Sequence, residues 1–167
     1  MNVPYVPDPS LDLVMERVVD VPPELVWLAW TSPAHLRQWF CPRPWTTAEC
    51  DVDLRPGGRF RTVLAGPAGE RHEHLACYLE VVPGARLVWT TLLEPGFRPS
   101  PRQDTSGVPH FTAIITLEPH GAGTKYRAVA MHRSPDGRAT HDTMGFQDGW
   151  GAAFAQLVEL APGWLAR

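Results

Sequence analysis

The 167-residue chain carries a formal charge of −3 and 44% hydrophobic residues, a length at which one hydrophobic core forms readily. So small a charge, with no basic stripe, argues against nucleic acid or an anionic membrane surface as partner. The three cysteines, Cys41, Cys50 and Cys77, are too few and too irregularly spaced for a disulfide scaffold or a metal knuckle, and read as small buried side chains in a reducing compartment.

Residues 1–10, rich in proline, form an N-terminal extension ahead of a single domain predicted over 11–167. The extension lacks the positive start and apolar run of a signal peptide. No later stretch is long and apolar enough for membrane insertion, so the chain is expected in the cytoplasm.

A first strand is predicted from Leu11 to Val21, with Leu13, Met15, Val19 and Val21 on one face at period two. Pro22-Pro23-Glu24 opens a short helix, because proline fits a first turn and a carboxylate suits the N-terminal dipole. Ser32-Pro33 resembles a cap followed by a first-turn proline and starts a second short helix through Trp39 and Phe40. Six strands follow: Trp45–Leu54, Arg59–Leu64, Arg71–Val82, Arg86–Leu92, His110–Leu117 and Thr124–Met131. Arg55-Pro56-Gly57-Gly58, Gly66-Pro67-Ala68-Gly69 and Pro83-Gly84 supply the turns between the earlier ones. In the strand over 71–82 the inward row is predicted to be Leu75, Cys77, Leu79 and Val81. Residues 94–107 form a proline- and glycine-rich loop longer than a hairpin needs, and loops of that kind often cover a site.

From about His141 to Ala161, Phe146, Trp150, Phe154, Leu157 and Val158 recur at helical steps, and Pro162-Gly163 is predicted to stop the helix. The sequence thus predicts an α+β domain, a curved antiparallel sheet around one long C-terminal helix, with two short helices after the first strand. Gly145, Gly149 and Gly151 each cost about 1 kcal/mol inside a helix relative to alanine. They either admit a close approach of sheet or ligand, or belong to a frayed first turn.

Several segments also resemble a known family. Arg17-Val-Val-Asp-Val-Pro22, Val26-Trp-Leu-Ala-Trp-Thr-Ser-Pro33, His35-Leu-Arg-Gln-Trp39 and Asp53-Leu-Arg-Pro-Gly-Gly-Arg-Phe60 are four of them. Tyr78-Leu-Glu-Val-Val-Pro83, Arg86-Leu-Val88 and Met144-Gly-Phe-Gln-Asp-Gly-Trp150 complete the set. They resemble the START-like (SRPBCC) superfamily in the branch named after the activator of Hsp90 ATPase, from about Leu11 to Ala161. The resemblance implies the helix-grip (START-like/Bet v1-like) fold, in which sheet and helix enclose a hydrophobic tunnel. Its members include ligand carriers, cyclase-like enzymes and a co-chaperone domain, so the fold does not select a function.

The candidate ligand-binding residues follow from position. Trp30, Trp39, Phe60, Trp89, Phe111, Tyr126, Phe146 and Trp150 either line a pocket or fill the core. Arg17 is in phase with Leu13 and Met15, so its guanidinium needs a protein carboxylate, a ligand acid, or a route to water at the sheet's end. His132 ends the strand whose inward face is Tyr126, Ala128 and Ala130, and the resemblance places histidines there and at His141. They can bind a polar ligand group or a metal, act as acid and base, or simply pair with each other to fix strand to helix.

His72 and His74 are predicted to face water, opposite Leu75 and Cys77, which leaves no metal site there. Nucleophile triads, phosphate loops and dinucleotide fingerprints are missing, and no cofactor is expected. The first functional expectation is binding of a small hydrophobic or aromatic molecule in an internal cavity, by a monomer or a homodimer. A cyclase- or hydrolase-type enzyme using Arg17, His132 or His141 is the alternative. A chaperone-interaction module comes third, because the 167 residues hold no additional N-terminal domain such as the co-chaperone carries. A lined cavity would favour the first two readings and an exposed apolar patch the third.

Overall fold

The computed structural model describes residues 5–103 and 107–165. Strand β1 (Asp12–Val19) is followed by helices α1 (Pro23–Thr31) and α2 (Pro33–Trp39). Next come β2 (Thr46–Val52), β3 (Arg59–Ala65), β4 (Arg71–Val82), β5 (Arg86–Thr90), and a small hairpin of β6 (Leu93–Glu94) and β7 (Arg98–Pro99). The chain then forms β8 (Thr112–His120), β9 (Gly123–Met131), α3 (Pro135–Thr143) and α4 (Phe146–Trp164). Seven strands make one antiparallel sheet in the order β1-β9-β8-β5-β4-β3-β2. Neighbours in sequence are neighbours in space, and only β1 crosses over, to pair with the last strand.

The inner face of this sheet carries the main core. Leu13 and Met15 of β1, Ala113, Ile115 and Leu117 of β8, and Tyr126, Ala128 and Ala130 of β9 are all buried there. They pack against Val26, Ala29 and Trp30 of α1 and Ala153, Phe154, Leu157 and Ala161 of α4. Tyr126 stacks on Phe154 with ring centroids 3.9 Å apart. The two alanines beside Tyr126 keep the sheet low under the helix, as their small size requires. A second, smaller cluster of Val88, Ile114 and Val129 lies on the outer face, where Tyr5, Val14, Leu79 and Met131 cover it.

Three details of the fold differ from the sequence expectations. The final helix is broken: α3 begins at Pro135 behind Ser134, whose hydroxyl caps it by accepting the Gly137 N–H, and Gly145 at φ 95° turns the chain into α4. Only glycine tolerates that backbone cheaply. His141 therefore belongs to α3, and α4 starts at Phe146. The far end runs longer than expected, to Trp164, with Pro162 inside the last turn. Trp164 holds it there, packing its ring on His35 at 4.3 Å and donating its indole N–H to Gln38 Oε1. Ser32 precedes α2 but makes no cap bond to the backbone; its hydroxyl meets His35 Nδ1 at 2.9 Å instead.

The third difference is the phase of β4. The pairing of β4 with β5 shifts register between Tyr78 and Glu80, so Leu79 is an extra residue in a bulge. Before it the inward row is His74, Ala76 and Tyr78; after it Val81 returns to the inner core. Leu79 belongs to the outer cluster, and Leu75 sits opposite Arg61 in the register. The apparent row from Leu75 to Val81 joined two faces that the bulge separates.

Candidate functional site

Between the inner sheet face, α1, α2 and α4 lies a cavity of about 300 Å³. Trp30 of α1 and Trp39 and Phe40 of α2 form one side, with Cys41 and Pro42 beyond them. His74, Trp89, Phe111 and Tyr126 rise from the sheet, while His141, Phe146, Gly149, Trp150 and Ala153 descend from α3 and α4. Leu64, Val108 and Met144 complete the lining. Met144 is 52% exposed, so the cavity reaches solvent beside it, and an adjoining hollow of about 270 Å³ shares Leu64, His74, Val108, Phe111 and Met144. Gly149 contributes directly to the space, because a Cβ there would touch nothing within 4 Å.

The wall is held by specific bonds. Trp39 donates its indole N–H to the Ala29 carbonyl at 2.9 Å, fixing α2 on α1. Gln156 of α4, buried, donates to the carbonyls of Trp39 and Cys41 and accepts the Arg43 N–H. One amide side chain thus satisfies three backbone groups of the segment that forms the wall. On the opposite side, Phe111 lies against both histidine sites, 6.4 Å from His74 and 4.9 Å from His141.

The polar atoms of the cavity have a definite arrangement. His132 Nδ1 lies 2.9 Å from the Leu11 carbonyl, which can only accept, so Nδ1 carries the proton. Burial depresses the pKa of His132 and pushes that of His141 down to about 4, the His132 charge adding to the second effect. Both rings are therefore neutral at physiological pH. His132 Nε2, bare, stands 2.8 Å from His141 Nδ1 and accepts its proton. His141 is left with an unprotonated Nε2 as the nitrogen available to the cavity.

His74 is ringed by Phe40, Phe60, Trp89 and Phe111. Burial pushes its pKa down to about 4, and its Nδ1 is buried without a hydrogen-bond partner. The ring keeps some accessible surface because it borders the cavity. The Trp89 indole N–H is likewise buried and unpartnered.

The candidate residues divide accordingly. Trp30, Trp39, Trp89, Phe111, Tyr126, His141, Phe146 and Trp150 line the cavity. Phe60 lies one layer beneath, stacked on Tyr78 and edge-on to Trp89, and His132 stands behind His141 as its orienting partner. Arg17 is exposed and is not part of the lining. Its strand phase is as expected, since Leu13 and Met15 are buried. However, β1 is an edge strand, and the long side chain passes α4 at Gly151, where its Nη2 would come 3.4 Å from an added Cβ. Its Nη1 donates to the Glu16 carbonyl. Neither a buried carboxylate nor a ligand acid is needed to answer it.

His74 corrects the expectation that it faces water, and the cause is the bulge at Leu79. Phe40, Gly149 and Gln156 carried no sequence signal that marked them for the site, beyond the oddity of a glycine inside a helix. Among the described residues no group of three His, Cys, Asp or Glu side chains gathers into a possible metal site.

The model of the family described as activator of Hsp90 ATPase homolog 1-like protein matches residues 20–161. The chain belongs to that family. Among solved structures it is similar to a protein of Nitrosomonas europaea at 44% identity and TM-score 0.89, over 96% of this chain and 99% of that one. A protein of Chromobacterium violaceum matches at 27% identity and TM-score 0.65, covering 90% and 96%. A protein of Rhodobacter sphaeroides, at 22% identity and TM-score 0.78 over 95% and 97%, shares the fold. A search of curated proteins finds no significant match. The antiparallel sheet, the two short helices and the C-terminal helix are the helix-grip arrangement that the resemblance implied. No helix among the described residues is long and apolar enough to cross a membrane.

Proposed function

We propose that this activator of Hsp90 ATPase homolog 1-like chain binds a small aromatic or hydrophobic molecule in the cavity between α4 and the sheet. The observation that carries the reading is a lined space of about 300 Å³ with unpartnered polar atoms at its wall. Small-ligand sites have that character: mostly apolar lining, few polar groups, and a volume from about 300 Å³ upward. Gly149 adds to it, because a glycine in the first turn of α4 has open space beside it that a side chain would occupy.

Catalysis is less well supported. A histidine whose pKa lies near 4, even with the Asp142 carboxylate raising it, is a weak base at neutral pH, and the lining itself includes no carboxylate. The co-chaperone reading rests on the family description alone. The free thiols of Cys41, Cys50 and Cys77 fit a cytoplasmic setting.

Gly149→Leu tests the proposal. It places an isobutyl group in the cavity and puts a better helix former in the first turn of α4 where a Cβ meets open space, so the fold should be kept. Calorimetric titration with a bicyclic aromatic probe should show saturable binding to the wild type and at least about tenfold weaker binding to the variant. Equal affinity in both proteins would place the binding elsewhere.

A further inference from the structure

The polar atoms of the cavity narrow the class of molecule, given that the cavity is the binding site. We infer that the ligand is an uncharged aromatic molecule bearing a hydroxyl, which it donates to Nε2 of His141.

Two observations carry this. The first is the direction of the hydrogen-bond chain. The Leu11 carbonyl fixes the proton of His132 on Nδ1, which makes His132 Nε2 an acceptor and draws the His141 proton onto Nδ1. Each histidine fixes the tautomer of the next, and the chain ends at the cavity on an acceptor that no donor among the described residues meets. A hydroxyl hydrogen satisfies it; an ether, a hydrocarbon or a carboxylate does not.

The second observation is the charge of the wall. Among the described residues, the lining contains no lysine, arginine, aspartate or glutamate. Arg17, the one cation on the inner row of β1, is exposed and outside it. An anionic group in this space would be desolvated without a counter-charge, and would face the lone pair of His141. The buried Trp89 N–H, unpartnered, can meet an oxygen of the ligand as donor, so a hydroxylated frame satisfies both kinds of group.

The test compares four probes of one shape, 1-naphthol, 1-methoxynaphthalene, naphthalene and 1-naphthoate, by calorimetric titration at neutral pH. 1-Naphthol should bind about tenfold more tightly than the methyl ether or the hydrocarbon, since a hydroxyl that donates to an otherwise unmet acceptor contributes about that much. 1-Naphthoate should bind most weakly. His141→Phe should erase the preference for naphthol over its methyl ether while still binding naphthalene. Equal affinity of naphthol and its ether for the wild type, a result independent of any variant, overturns the inference while leaving the cavity as a binding site. So does naphthoate binding as tightly as naphthol. Failure of all four probes to bind would instead remove the ligand-binding reading on which the inference rests.

Discussion

His74 provides the most quantitative consequence of the β4 phase. Its ring is surrounded by four aromatic rings, and burial alone lowers its pKa from 6.5 to about 4, with no charged neighbour contributing. Below pH 6.5 the unfolded chain binds a proton at this residue that the folded chain refuses. Stability is therefore full above pH 6.5 and is lost as the pH falls towards 4. At about 1.4 kcal/mol per pH unit, that gap amounts to about 3 kcal/mol, a large share of a domain's typical ~5–15 kcal/mol. His74→Phe keeps an aromatic ring in the cluster and removes both the titration and the unpartnered Nδ1. At neutral pH it should lie within about 1 kcal/mol of the wild type or above it, because no buried bond is broken. Urea denaturation of both proteins from neutral pH to about pH 4 measures the effect. The wild type should lose about 3 kcal/mol more than the variant over that range. Parallel curves would mean that His74 faces water, and the assigned inner row of His74, Ala76 and Tyr78 would be wrong.

Two other substitutions test the support of the cavity wall and the exclusion of Arg17 from the site. Gln156→Leu leaves the carbonyls of Trp39 and Cys41 and the Arg43 N–H without their buried partner; it should cost about 3 kcal/mol in denaturation experiments, and a cost under about 1 kcal/mol would show that water replaces the amide. Arg17→Met removes an exposed guanidinium with no acidic partner among the described ion pairs, and should change stability by no more than about 0.5 kcal/mol and leave aromatic binding unaltered. A selective loss of affinity for aromatic acids in that variant would return Arg17 to the site.

Much of this fold is legible in the sequence because most strands obey a simple alternation. Tyr126, Ala128 and Ala130 on β9, and Leu13 and Met15 on β1, are buried as the period-two pattern predicts. The pattern fails where the backbone breaks its own period. A bulge at Leu79 leaves no residue-type signature, since Leu75, Cys77, Leu79 and Val81 alternate without interruption in the sequence while the strand does not. The α3–α4 break was readable in part: Ser134-Pro135 is a helix start of the same kind as Ser32-Pro33, and Gly145 is its natural terminus. The aromatic residues named the cavity's lining, but not whether a cavity exists. That depends on the fine balance of side-chain volumes against backbone spacing, and on Gly149, whose contribution is an absence of atoms. Arg17 shows a further gap: strand phase gives direction, while edge position, set by the pairing of β1 with β9, decides exposure.

The most direct measurement is a methyl NMR titration of the protein with 1-naphthol. Met144 lines the cavity beside its opening, whereas Met131 packs on the outer face of the sheet in the second cluster. Binding between α4 and the sheet predicts a saturable shift of the Met144 methyl resonance, with that of Met131 unmoved. A Met144 resonance that stays in place at saturating probe, or two methyls that shift together without saturation, would contradict a ligand site in this cavity.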